Sequence, residues 1–140
     1  PIAQCFEWES RVRLSSAVDF QFSDNYLYSR DLGTGSKLVN RPDHTVKVFL
    51  TGFYEKLGVG ASFWGDYASR KLWVARSNTG GNEGEPEYAP HRTTINANFF
   101  KRFGPDLETF LRLENLLDET DVTYGYWPGF QVFAGVKYAI

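Results

Sequence analysis

Apolar side chains return at every second position through most of this chain, and no other feature limits the possible folds as strongly. In residues 130–140 the even positions are Phe130, Val132, Ala134, Val136, Tyr138 and Ile140, while the odd ones include Gln131, Gly135, Lys137 and Ala139. Successive side chains of an extended chain point to opposite faces, so such a stretch is a strand with one apolar and one mixed face. The period recurs upstream. Residues 2–8 form a short strand on Ile2, Phe6 and Trp8, ahead of a turn expected at residues 10–13. From Leu14, the set Leu14, Val18, Phe20 and Phe22 alternates with Asp19 and Gln21. Val46, Val48 and Leu50 oppose Lys47 and Thr51, and Val59, Ala61, Phe63 and Tyr67 oppose Ser62, Trp64 and Asp66. Thr93, Ile95, Ala97 and Phe99 oppose Asn96 and Asn98, and Leu107, Leu111 and Leu113 oppose Glu108, Arg112 and Glu114. The expectation is an all-β, antiparallel chain of about seven strands.

The connections sort into two kinds. Tight turns are expected near residues 10–13, 55–56 and 104–106, and long loops at 23–44, 68–90 and 115–129. The middle loop carries a Gly- and Asn-rich run at 78–86 and reads as irregular, with a mobile tip. Outer-membrane barrels show this alternation, with short turns on the periplasmic side and longer loops outside. A strand of about 11 residues rising roughly 3.3 Å each, tilted near 45°, climbs about 25 Å, the height of a bilayer's apolar band. A transmembrane β-barrel segment is therefore predicted. Seven strands cannot close such a barrel, and open edges in lipid leave backbone groups unpaired at several kcal/mol each, so further strands must complete the wall.

Composition narrows the alternatives. The mean hydropathy of −0.38 accompanies no run near the roughly 18 apolar residues of a membrane-crossing helix. A net charge of −2 with scattered basic residues offers no field for nucleic acid. Cys5 is the one cysteine and has no internal disulfide partner. The chain opens at Pro1 without a charged and apolar leader, so any export signal is expected to lie upstream or to have been removed. His44 and His91 stand where loops meet strands, but neither has a second ligand nearby in sequence, and no metal site is predicted. Nor is there a nucleophile elbow or phosphate loop, so an enzyme is not expected.

Leu113-Glu114-Asn115-Leu116-Leu117-Asp118, followed by Tyr124 and by Pro128-Gly129, resembles the closing segment of TonB-dependent outer-membrane receptors. Leu117 stands where that family usually has Phe, and Phe130 where it has Arg. Arg41-Pro42-Asp43-His44 resembles the motif that opens an earlier strand in the same family, and Gly135, Tyr138 and Ile140 resemble its barrel-insertion signal. The resemblance implies that residues 1–140 are the C-terminal segment of a barrel of about 22 strands around a plug, with the plug and earlier strands elsewhere. It also implies energy-coupled uptake of a scarce ligand such as a ferric siderophore. Its partners would be the remaining strands, the plug, the TonB complex acting through that plug, and outer-membrane lipid. No cofactor is implied beyond iron carried by the ligand. A passive pore, an outer-membrane barrel enzyme and a soluble ligand-binding barrel stay open as alternatives.

Arg70, Trp73, Tyr88, Arg92, Tyr124, Tyr126 and Trp127 all fall on the long-loop side. Guanidinium groups and rings suit an anionic or planar ligand through charge-assisted bonds and stacking. The same rings also suit an interfacial aromatic girdle. Asp19, Asp66, Arg112 and Glu114 are expected on the lumen-facing wall together with Lys47, where opposite charges pair with one another or stay solvated.

Overall fold

β-branched and aromatic residues alternating with polar ones build nine strands in a computed structural model that describes residues 1–33, 35–74 and 86–139. They are β1 (Ile2–Ser15), β2 (Val18–Arg30), β3 (His44–Tyr54), β4 (Val59–Ala68), β5 (Lys71–Val74), β6 (Glu87–Ala89), β7 (Arg92–Phe103), β8 (Leu107–Glu114) and β9 (Gln131–Tyr138). Seven of them form one antiparallel sheet in the order β1-β2-β3-β4-β7-β8-β9, and β5 and β6 pair as a separate hairpin. The seven-strand expectation holds for the main sheet. Among the described residues β1 and β9 do not pair, so the sheet is open at both edges.

The register carries the period-two pattern across the whole width. One row runs Val12, Phe20, Leu50, Phe63, Ala97, Leu113, Val132, with an apolar residue from every strand. The row one residue away, on the other face, runs Arg13, Asp19, Thr51, Ser62, Asn98, Arg112, Phe133. Because the side-chain period is two, a slip of one residue in any pair would exchange these rows.

Nothing among the described residues covers either face. Among the described residues only Leu72, Ala89 and Ala97 are buried apolar side chains, and Val12, Phe63 and Val132 stay 46%, 40% and 55% exposed. The accessible surface is 10100 Å², against about 7,400 Å² for a compact soluble chain of 16.0 kDa. The excess is the surface of a single layer without a dry centre.

Four expectations are corrected. The first turn is at residues 16–17, not 10–13, because β1 keeps its alternation through Trp8, Ser10, Val12 and Leu14 and bulges only between Arg13 and Ser15. The strand expected to stop at residue 22 continues to Arg30, since β1 supplies a pairing partner for every residue up to Ile2, so the first long loop spans 31–43. The loop expected at 68–90 begins and ends as the β5–β6 hairpin. The glycine-rich stretch near its tip lies, apart from Pro86, outside the described residues, as does Thr34 in the first loop. Finally, β9 has eight residues rather than about eleven: the Phe130 amide donates to Asp118 Oδ1 at 2.8 Å, which holds Phe130 in the preceding loop.

The alternation of connections survives these changes. Residues 16–17, the 3-10 turn Glu55–Leu57 and residues 104–106 close one end of the sheet, and the three long connections lie at the other. Gly58 and Gly104 end the second turn and open the third at φ 61° and 77°, in the left-handed region that glycine enters without steric cost. Apart from that 3-10 turn no helix occurs among the described residues, and none is long and apolar enough to cross a membrane.

Candidate ligand-binding cleft at the long-loop end

Asn115 organises this end of the sheet. It is buried, and its φ of 54° is a left-handed conformation that Asn tolerates better than most residues. Its backbone amide donates to Asn96 Oδ1 at 2.9 Å, tying the exit of β8 to the middle of β7. Its Nδ2 donates to the carbonyls of Glu119 (2.7 Å) and Pro128 (3.0 Å), and its Oδ1 accepts from the Glu119 amide (3.2 Å). One side chain thus clamps both ends of the loop between β8 and β9. Asp118 and Asp121 finish the fold of that loop. Asp118 Oδ1 holds the Phe130 amide, and Asp121 Oδ1 accepts from the amides of Thr123 (2.8 Å) and Tyr124 (2.9 Å).

The loop so shaped leans on β7. Glu119 Oε2 accepts from the Thr93 amide at 3.2 Å, and the Arg92 guanidinium lies over the Trp127 ring. The β5–β6 hairpin closes the other side: its own Leu72 and Ala89 are buried, and Leu72's carbonyl accepts from the Asn40 amide at 2.7 Å. The Trp73 and Tyr124 rings meet edge to face with centroids 5.7 Å apart. Between loop and hairpin opens a cleft of about 420 Å³, whose lining includes Lys71, His91, Arg92, Asp121, Tyr124 and Trp127.

Six of the seven loop residues singled out from the sequence are joined in pairs here. Arg70 lies over Tyr88 (5.5 Å to the centroid), Arg92 over Trp127, and Trp73 against Tyr124. Tyr126 stands apart, 85% exposed and facing solvent. The Tyr124 hydroxyl hydrogen-bonds the Glu87 carboxylate, and that bond pushes its pKa above the usual phenol range. Sequence reasoning missed Lys71, Glu119 and Asp121. Lys71 was hidden in a stretch read as irregular loop, and its ammonium lies over Trp73 at 5.3 Å. Glu119 matters through a backbone bond to Thr93, 26 residues away, which no local pattern announces, whereas Asp121 caps the amides two and three residues on, a local turn that the sequence could have shown. The cleft sets two cations and two aromatic groups against two carboxylates, a lining suited to a polar, partly planar solute held by stacking and charge-assisted bonds.

The two histidines flank this region without building a metal centre. His44 Nδ1 is 3.6 Å from Asp24 Oδ1, an atom with no hydrogen bond, and its ring lies 4.8 Å from that of Tyr26. His91 is tilted against Tyr67. Among the described residues no group of three or more His, Cys, Asp or Glu side chains could hold a metal ion.

The polar face below the cleft is ordered. Arg112 Nε is 2.8 Å from Glu114 Oε1 and its guanidinium lies over Trp64, while Arg13 Nε reaches Asp19 Oδ1 at 3.4 Å. Asp66 stands opposite Lys47 in register. Towards the tight turns Glu108 pairs with both Arg102 (3.1 Å) and Lys137 (3.0 Å). Of the three positions whose pattern resembles an insertion signal, Gly135 lies beneath the Phe110 ring, Tyr138 ends β9 at 69% exposure, and Ile140 falls outside the described residues. Comparison with protein-family models, curated proteins and solved structures gives no match for this chain.

Proposed function

We infer that this chain is the closing segment of an outer-membrane β-barrel receptor of the TonB-dependent kind, which takes up a scarce polar ligand such as a ferric siderophore. The observation that carries the reading is the seven-strand sheet with one uncovered apolar face. Rows such as Val12-Phe20-Leu50-Phe63-Ala97-Leu113-Val132 need a nonpolar medium on that side. Long loops at one end and tight turns at the other fit the two sides of an outer membrane. The open β1 and β9 edges are then where the rest of a wall of about 22 strands attaches, and the ion-paired polar face looks onto the plug. The cleft of Lys71, Arg92, Tyr124 and Trp127 lies on the ligand-capturing side.

The soluble alternative requires a cover for the apolar face, which the large exposed area disfavours. The deciding experiment is ligand-dependent uptake by cells carrying the intact receptor. The expected result is accumulation of a ferric chelate that stops when the proton-motive force is dissipated. Uptake indifferent to that force, or none with any chelate, would overturn the transport reading in favour of a passive pore.

A further inference from the structure

Near the tight-turn end the apolar face is not flat. Across the strands the register sets Val18, Gly52, Ala61 and Phe99 in one row. Small residues at its centre, with Ala17 alongside, leave a groove of about 400 Å³ whose sides include Val18, Tyr54 and Phe99. Gly52 keeps the floor low: a β-carbon built there would already be in van der Waals contact with Ala17's carbonyl oxygen at 3.7 Å and Val18 Cγ2 at 3.8 Å. The Phe99 wall is fixed, because its ring meets Phe63 edge to face with centroids 5.5 Å apart.

One row nearer the turns, roughly 7 Å away along the strands, the same face carries Tyr54, Val59 and Lys101 in register. Lys101 is a cation on a mainly apolar surface, beside Thr109 of β8. Its ammonium lies over the Phe103 ring at 5.0 Å, and no carboxylate among the described residues pairs with it. A long lysine in this place extends towards the headgroup level.

We propose that this groove and Lys101 form a binding site for one anionic glycerophospholipid of the leaflet at the tight-turn side, which takes the membrane-spanning reading above as given. An acyl chain fills the groove over Gly52 and Ala61. The phosphate sits one row lower, where Lys101 supplies charge and the Tyr54 hydroxyl a hydrogen-bond donor. Charge decides the occupant: an apolar groove alone takes any chain, but an unpaired ammonium one row from its end selects a lipid whose phosphate lies at that depth and carries net negative charge. The direction agrees too, since the headgroup points to the short turns and the chain runs towards the middle of the sheet.

The test uses the intact protein reconstituted into phosphatidylcholine vesicles doped with phosphatidylglycerol, then released gently and examined by native mass spectrometry for retained lipid. Wild type is expected to keep one phosphatidylglycerol in preference to phosphatidylcholine. Lys101→Gln should lower that preference about five-fold, the effect of roughly 1 kcal/mol for one basic residue at an anionic surface. Lys101→Arg should restore it. Ala61→Phe should fill the groove and abolish retention while leaving Lys101 in place, and Lys56→Gln, in the neighbouring turn, should change nothing. Equal retention by wild type, Lys101→Gln and Ala61→Phe would mean annular lipid only and would overturn the site while leaving the barrel intact. Failure of the protein to enter vesicles at all would overturn the membrane reading, and the site with it.

Discussion

Phe110 lies across Gly135 on the neighbouring strand, with a ring carbon 2.6 Å from the place where a β-carbon on Gly135 would sit. Phe100 covers Gly60 in the same row, and Phe53 stacks on Phe100 with centroids 5.8 Å apart. Glycine is required at these points by a ring, not by backbone angles. Gly135→Val should expel Phe110 and weaken the β8–β9 pairing by about 1–3 kcal/mol, the usual cost of forcing extra methylenes into an occupied space. Hydrogen exchange should rise on β8 and β9 alone. Unchanged exchange there would show that the ring moves aside freely.

Asn115→Ala removes three side-chain hydrogen bonds and leaves a residue poorly suited to positive φ. At about 1 kcal/mol per bond and a similar amount for the strain, the loop should lose about 3–4 kcal/mol of local stability. Proteolysis within residues 116–129 is the readout, and Asn115→Gly, which relieves only the strain, should fall between the two.

The two faces respond oppositely to charge if lipid covers one of them. Phe63→Arg places a cation in the middle of the apolar row and should cost about 2–4 kcal/mol of membrane stability, whereas Ser62→Arg, one residue away on the polar face, should be tolerated. The fraction of protein inserted into vesicles measures both. Equal effects would refute the assignment of faces.

The Tyr124–Glu87 contact gives a pH dependence with a definite sign. Tyr124's folded pKa lies above its ordinary 10.0, so the contribution to holding loop against hairpin is present below about pH 10 and is lost as pH rises through the raised value. Tyrosinate absorbance should show a late-titrating group, and Tyr124→Phe should remove it. A Tyr124→Phe variant that keeps the late group would assign it to another tyrosine.

Alternation made the sheet legible, since Leu50, Phe63, Ala97 and Leu113 share a face whichever strand ends are chosen. Boundaries were harder. Arg11 and Arg13 looked like part of a turn because charge and turn chemistry overlap in composition, yet they continue the polar face that Glu7 and Glu9 begin on β1, opposite Gln21 and Asp19. Ser23, Asp24 and Asn25 likewise broke the apolar count while the backbone continued, because pairing with β1 and β3 holds them extended. In the cleft, the ring and guanidinium residues could be chosen by type. Which ones touch depended on Asn115, whose role lies in partners four and thirteen residues away that no short-range pattern reveals.

The bare margin of β1 has a practical consequence. Fourteen residues of strand present a free line of amides and carbonyls, with Phe6, Trp8, Val12 and Leu14 exposed beside it. Produced by itself in water, this polypeptide should use that margin to recruit further copies and grow into fibrous or amorphous deposits, so recovery from inclusion bodies is the outcome to plan for.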